Sequence, residues 1–455
     1  MHSKDKPTIS AIVIASTLGL ALTGTLVAQN TVPNPLLTPN AKGVLSTYSK
    51  GRPINVANPF FNSLGTNGRT CNTCHVSSES WTVSPRGVKE RFARTRGTDP
   101  IFRPVDGANC PTAEVSTLEA RRLAYSLLLQ KGLIRISLPV PPSADFQITN
   151  IQDPYNCAQT TSAQPAMYRR PLPSTNLPFL TTVMWDGRES TPGRSLTDNL
   201  SQQVVDATTG HAQGATPAAK QISDIVAFET ALYTAQQFSF DAGRLTEKGA
   251  KGGAVNLSNQ SFFVAINDAL SPGFDPNAFS IYKTWENVKG LHAKTRESIA
   301  RGEVLFNTLP IMIADVAGLN DLPGLSVVNG NCTTCHDSPN VGNHSVPLAI
   351  NIGVTDFPAR GGLDITGLPV YTITCNNGGK TIQTTDPGRA MITGKCADVG
   401  KTKGPILRAL AARAPYFHNG SAASLQDVVE FYNQRFNLDL TKQQEADLVA
   451  FLETL

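Results

Sequence analysis

The sequence predicts a mostly α fold in two lobes, with long loops and a few short strands. Three observations predict it. The pentapeptides CNTCH at 71–75 and CTTCH at 332–336 repeat one pattern 261 positions apart, from 71 to 332. Helical stripes and capping signatures recur along the chain, most clearly near its C-terminal end. The 36 glycines and 31 prolines among 455 residues suit long loops wrapped around bulky groups, and the length accommodates two to three domains.

Each pentapeptide places a histidine directly after a Cys-x-x-Cys pair: Cys71, Cys74 and His75, then Cys332, Cys335 and His336. This is the c-type haem attachment pattern. Two thiols add across the vinyl groups at one porphyrin edge, and the adjacent imidazole meets the iron from one face. His75 and His336 are therefore the expected proximal ligands. A structural zinc site needs a second close pair of ligands, and neither copy has one. Two covalently bound haems are expected, one per lobe.

Covalent haem attachment belongs outside the cytoplasm, and the N-terminus agrees. Lys4 and Lys6 precede an apolar run from Ile9 to Val27, which ends at Ala28. Residues 1–28 are expected to be a signal peptide, with an uncleaved anchor as the alternative because Leu26 is large for the minus-three position. A periplasmic location follows, with membrane contact only through an uncleaved anchor. Four cysteines stand outside the pentapeptides: Cys110, Cys157, Cys375 and Cys396. Chain order in an oxidising compartment favours Cys110 to Cys157 and Cys375 to Cys396, although four cysteines allow three connectivities. A net charge of +4 and the lack of any basic run interleaved with aromatics argue against nucleic acid as a partner.

In chain order, residues 29–50 are expected to be an extended arm. Leu118, Ala120, Leu123, Ala124, Leu127 and Leu128 form a helical stripe over 117–131 that Gly132 stops. The segments IRISLPV and DFQITNI alternate as two short strands. A second helix is expected from Thr216, with Pro217 at its first position, through KQISDIVAFETALYTAQ. Pro272 and Pro276 bracket a loop, and TRESIARGEVLFN opens the second lobe. Ser424 with Asp427, and Thr441 with Gln444, form capping boxes ahead of the last two helices. No glycine-rich loop follows a strand, so a dinucleotide fold is not expected.

With both pentapeptides in order, MWDGR at 184–188 and GPILRALAARAPYFHNGSAASLQDVV at 404–429 resemble the di-haem cytochrome c peroxidase and MauG-like superfamily. The resemblance covers most of the chain from about residue 50, and is most specific around 405–432. A stretch at 88–165, carrying Cys110 and Cys157, has no place in the shorter peroxidases and marks a longer branch. The resemblance implies two cytochrome c-like domains, 29–290 and 291–455, with a haem in each. It implies that the first haem reacts with hydrogen peroxide and that the second collects electrons from a small donor protein or shares oxidising equivalents.

It also implies roles for individual residues. Trp185 matches the tryptophan between the two haems. The family sets a glutamine and then a glutamate over the open face of the first haem. An insertion at Thr191–Gly193 brings Gln203 onto the first of these and Gln213 onto the second. Glutamine cannot take a proton from peroxide, but His211, two positions earlier, can. His211 is accordingly read as an acid–base group, with iron ligation or a surface position as the alternatives. At the second haem, Tyr432 stands where MauG-like proteins have a tyrosine ligand and peroxidases a methionine, and no methionine follows Met391. A phenolate would lower the potential, whereas a thioether favours ferrous iron.

His418 matches a family histidine near the second haem, while Arg389 and Arg408 are expected to pair with haem propionates. His344 is left without a role. The family's calcium ion is left open, because its usual asparagine is not recognisable before Trp185. Three functions compete: peroxide reduction, electron carriage with both irons six-coordinate, and MauG-like or oxygen-dependent oxidation of an organic or protein substrate.

Overall fold

A computed structural model describes residues 30–271 and 273–455. The N-terminal segment 1–28 and Pro272 lie outside the described residues. Among the latter, eleven α-helices alternate with thirteen strands in five small sheets, a larger strand share than the few expected. The fold is mixed in class. No helix among the described residues is long and apolar enough to cross a membrane.

The arm expected at 29–50 is instead folded into a sheet. Leu36–Asn40 and Gly43–Ser49 form a hairpin, and the second of these strands also pairs antiparallel with Leu232–Ser239. That partner overturns part of the second helix. The helix runs Ala219–Ala231, five residues shorter at its C-terminal end than expected, because the aromatic and β-branched residues of LYTAQQFS find a strand partner. Its start is set at Ala218, whose N–H donates to Gln221 Oε1 at 2.9 Å, so Thr216 and Pro217 precede it.

Ahead of this helix, Leu196–Asp206 is capped by Ser195 and Asp198 and runs on into a π-turn, Ala207–His211. The two helices pack through Leu200, Val204, Ile225 and Phe228 onto Phe60 and Trp81. A π-turn widens the helix at its end, and here it carries His211.

The inserted stretch is well built. The predicted stripe forms two helices, Leu118–Ala124 and Ser126–Lys131, broken at Tyr125, whose hydroxyl donates to Phe102 O at 2.9 Å. Leu123 faces solvent as a result, while Ala124, Leu127 and Leu128 are buried. Gly132 ends the second helix in the left-handed region, at φ +66°. Both predicted strands form, each with a distant partner: Ile134–Ser137 pairs with Ala166–Arg169, and Phe146–Gln152 with Val370–Cys375. The disulfides are Cys110–Cys157 and Cys375–Cys396.

In the C-terminal part, Ala293–Thr308 packs against Lys442–Leu452 through Ile299, Phe306, Leu448 and Phe451. Gly302 permits the close approach, since a Cβ there would lie 2.0 Å from Asp447 O. Arg301 forks onto both Asp447 oxygens at 2.8 Å. Both predicted capping boxes form, at Ser424 with Asp427 and at Thr441 with Gln444. The helix Leu425–Phe436 begins at the first of them and carries Tyr432.

Candidate functional site

Each pentapeptide opens onto its own cavity. The first is bordered by Cys74, His75, Asp106, Gln203, His211, Glu229 and Arg408. The second is bordered by Cys332, Cys335, His336, His418 and Tyr432 within a largely apolar wall that includes Phe306, Ile350, Val429 and Leu448. Trp185 borders both, as do Arg170, Lys403 and Arg413. Its indole N–H donates to Arg170 O at 2.8 Å, which fixes the ring between the cavities.

The two motif histidines are oriented alike. His75 Nδ1 lies 3.0 Å from Trp81 O and His336 Nδ1 lies 2.7 Å from Gly342 O. A carbonyl only accepts, so each Nδ1 carries the hydrogen and each Nε2 keeps its lone pair. Burial holds both imidazoles down at about 4, against the opposing pull of those carbonyls. Both are therefore neutral, as a metal ligand requires. All four motif cysteines are free thiols, and burial pushes Cys332 and Cys335 up to about 12.

These residues fit a c-type haem in each cavity. Thiols, a lone-pair imidazole and an apolar wall stand together, and buried polar atoms without partners point to a missing anionic group. Arg408 Nε and Nη1, at the first cavity, have no hydrogen-bond partner, and neither has His418 Nε2 at the second. A propionate would satisfy such atoms.

The inserted stretch contributes a residue that the sequence does not point to. Asp106 Oδ2 lies 2.5 Å from His211 Nδ1, and Oδ1 pairs with Arg69. Arg69 is held in turn by the carbonyls of Pro100, Ile101 and His211. Burial would raise the Asp106 carboxyl, but His211 and Arg69 outweigh it and hold it below the usual carboxylate range. An ionised Asp106 accepts from Nδ1–H, so Nε2 is the basic nitrogen of His211.

The other predicted residues divide. Gln203 borders the first cavity with His211, but Gln213 is exposed beyond it, its Oε1 accepting from Asn67 Nδ2 at 3.2 Å. Tyr432 borders the second cavity, where burial raises its hydroxyl above the usual range. Arg408 borders the first cavity and Arg389 neither, its Nη1 donating to Asp186 O at 3.1 Å. Met391 is buried away from both. His418 sits 3.5 Å from Asp386, which Arg169 joins to Asp186 of the WDGR stretch.

No family model matches the chain. Cytochrome-c peroxidase IdrP1 of Pseudomonas sp. strain SCT is 30% identical over 154 residues, 29% of this chain and 38% of that one. Cytochrome c551 peroxidase of Nitrosomonas europaea is 31% identical over 140 residues, 30% of this chain and 34% of that one. Over the matched residues the chain is similar to these cytochrome-c peroxidases. The match spans little more than a third of each of these relatives. A crystal structure described as a MauG-like protein associated with microbial copper homeostasis overlaps 87% of each chain at 17% identity and a TM-score of 0.40, too loosely to carry an argument.

Two further groups at the cavities lie outside the residues that the sequence points to. Glu229, at the first cavity, is pushed up to about 8 by burial, and is therefore a neutral acid near pH 7. A single acid inside the apolar run IVAFETALY was a signal for it. Lys403 borders both cavities, donating to Thr182 O at 2.7 Å, and burial followed by the charge of Arg413 holds it down at about 7. Nothing in KTKGP marks that lysine out.

Proposed function

We propose that the chain is an exported, periplasmic enzyme with two covalently attached c-type haems, one in 29–290 and one in 291–455, that reduces hydrogen peroxide at the first. The second would supply a path for electrons from a small donor protein or a place to share oxidising equivalents. Haem at each pentapeptide would supply a redox-active iron to which peroxide binds and through which electrons pass. The observation that carries the reading is the Asp106–His211 pair at the first cavity, joined at 2.5 Å, whereas at the second cavity His418 stands 3.5 Å from Asp386.

The residues supply the rest. His75 and His336 would hold the irons through their Nε2 lone pairs. His211 Nε2 takes the proton from one peroxide oxygen and returns it to the other, while Asp106 accepts from Nδ1–H and stabilises the cation formed between the two transfers. The Gln203 amide borders the same space and orients peroxide by hydrogen bonding. Arg408, Arg413 and Lys403 would compensate propionate charge, and Trp185 is an aromatic side chain that borders both cavities. Tyr432, which borders the second cavity, would be a further residue to hold the iron there. Its phenolate favours higher oxidation states, which also suits oxidation of an organic or protein substrate.

A second reading has one observation in its favour. An imidazole held at Nδ1 by a carboxylate is also how metal ligands are oriented, so His211 as an iron ligand would make the protein a carrier. His211→Ala separates the two. An acid–base role predicts an unchanged resting ferric spectrum and peroxide reaction slowed roughly 10²- to 10⁴-fold. A ligand role predicts a low-spin to high-spin change. A variant unchanged in both removes His211 from the chemistry.

A further inference from the structure

Outside the residues that border either cavity, but close behind the second, Asp268, Asp337 and His344 meet in the interior. One ligating atom from each lies within 4.8 Å of the others, and the residues are 3%, 0% and 7% exposed. His344 Nδ1 lies 3.1 Å from Leu348 O, so Nδ1 carries the hydrogen and Nε2 faces Asp268 Oδ2 at 3.0 Å. Asp268 Oδ1 accepts from Leu270 N–H at 2.7 Å, and Asp337 Oδ1 from Ser345 N–H at 2.6 Å. These bonds orient both carboxylates. Asp337 Oδ2 is left buried with no hydrogen-bond partner.

Among the described residues no lysine or arginine pairs with either carboxylate, and His344 is the one basic group that does. Two buried carboxylates and a single imidazole leave negative charge without compensation, which is strongly unfavourable in a protein interior. A divalent cation removes the imbalance and gives Asp337 Oδ2 a partner.

We propose that this cluster binds one divalent transition-metal ion of the zinc class through His344 Nε2, Asp268 Oδ2 and Asp337 Oδ2. An imidazole with two carboxylates suits zinc and its neighbours, whereas calcium takes six or more oxygens. Ligand atoms about 2.1 Å from a tetrahedral ion stand roughly 3.4 Å apart, and the 3.0 Å between His344 and Asp268 is already close to that spacing. The ion ties the loop at Asp268 to the turn 337–345. That turn begins directly after His336 and contains Gly342, whose carbonyl orients the His336 ring. The site therefore braces the second motif histidine without touching its cavity.

The test uses the full chain carrying its haems, stripped with a chelator and then dialysed against Zn²⁺ alone. Zinc and iron per chain are measured together by mass spectrometry. The expected result is one retained zinc per chain, a higher thermal midpoint with Zn²⁺ than without, and at least a tenfold loss of retention in Asp268→Asn and in His344→Gln at unchanged iron content. Zinc retention equal in the wild type and both variants, or Ca²⁺ retained in preference to Zn²⁺, overturns the proposal. If either variant fails to fold, the wild-type midpoint decides: no rise with Zn²⁺ overturns it too.

Discussion

Replacing Asp106 with Asn removes the charge that holds His211 while keeping its shape. In the native structure the carboxylate serves two partners, His211 Nδ1 at 2.5 Å and the buried Arg69 guanidinium. Breaking a buried ion pair from one side costs about 3–5 kcal/mol. Arg69 keeps three carbonyl acceptors, and an Asn oxygen still accepts, so the loss falls at the lower end, about 3 kcal/mol. The sign follows from the depressed Asp106 carboxyl. Its contribution is present above the unfolded pKa and is lost as pH falls through the folded value, so wild type and variant converge in acid. For function, an Asn amide that donates to Nδ1 selects the wrong tautomer and places the hydrogen on Nε2. The peroxide reaction should then slow roughly 10²- to 10⁴-fold. Stopped-flow mixing of the ferric protein with peroxide measures this, and denaturant unfolding at neutral pH measures stability. A variant that reacts with peroxide at the wild-type rate, whatever its stability, refutes the role of Asp106 in holding the acid–base nitrogen.

Tyr432→Phe should change the spectrum of one haem and weaken stabilisation of its oxidised states. Unchanged spectra of both haems would leave Tyr432 a packed aromatic, and a stability loss of about 1 kcal/mol would not discriminate. Cys332→Ala should leave the second haem absent or held through one thioether, read by extracting the denatured protein with acidified acetone and weighing the chain. Complete loss of colour from the wild type would refute covalent attachment. Glu229 is raised by burial from an ordinary 4.5 to about 8, so the folded chain holds a proton that the unfolded chain has released in that window. Stability therefore falls with rising pH between those values. Glu229→Gln should flatten that slope, measured as the denaturant midpoint against pH. An identical slope in both proteins would place Glu229 outside the effect.

What the sequence determined by itself is what short-range chemistry encodes. The pentapeptides fix two thiols and an imidazole at one spacing, and Ser424 with Asp427 or Thr441 with Gln444 fixes a helix start, because each pattern acts within one or two turns. The stripe at 117–131 and the strands IRIS and FQITNIQ were legible for the same reason. Tertiary structure decided whatever depends on a distant partner. LYTAQQFS became a strand because Gly43–Ser49 lies alongside it, and the expected arm became a hairpin for the same pairing. Asp106 meets His211 across 105 positions, Arg408 borders the first cavity although it follows the second motif in the chain, and Lys403 lies with Trp185 between the two. A charge carries no periodicity that announces its partner. Only packing brings its neighbours close enough, and dry enough, for their electrostatics to matter.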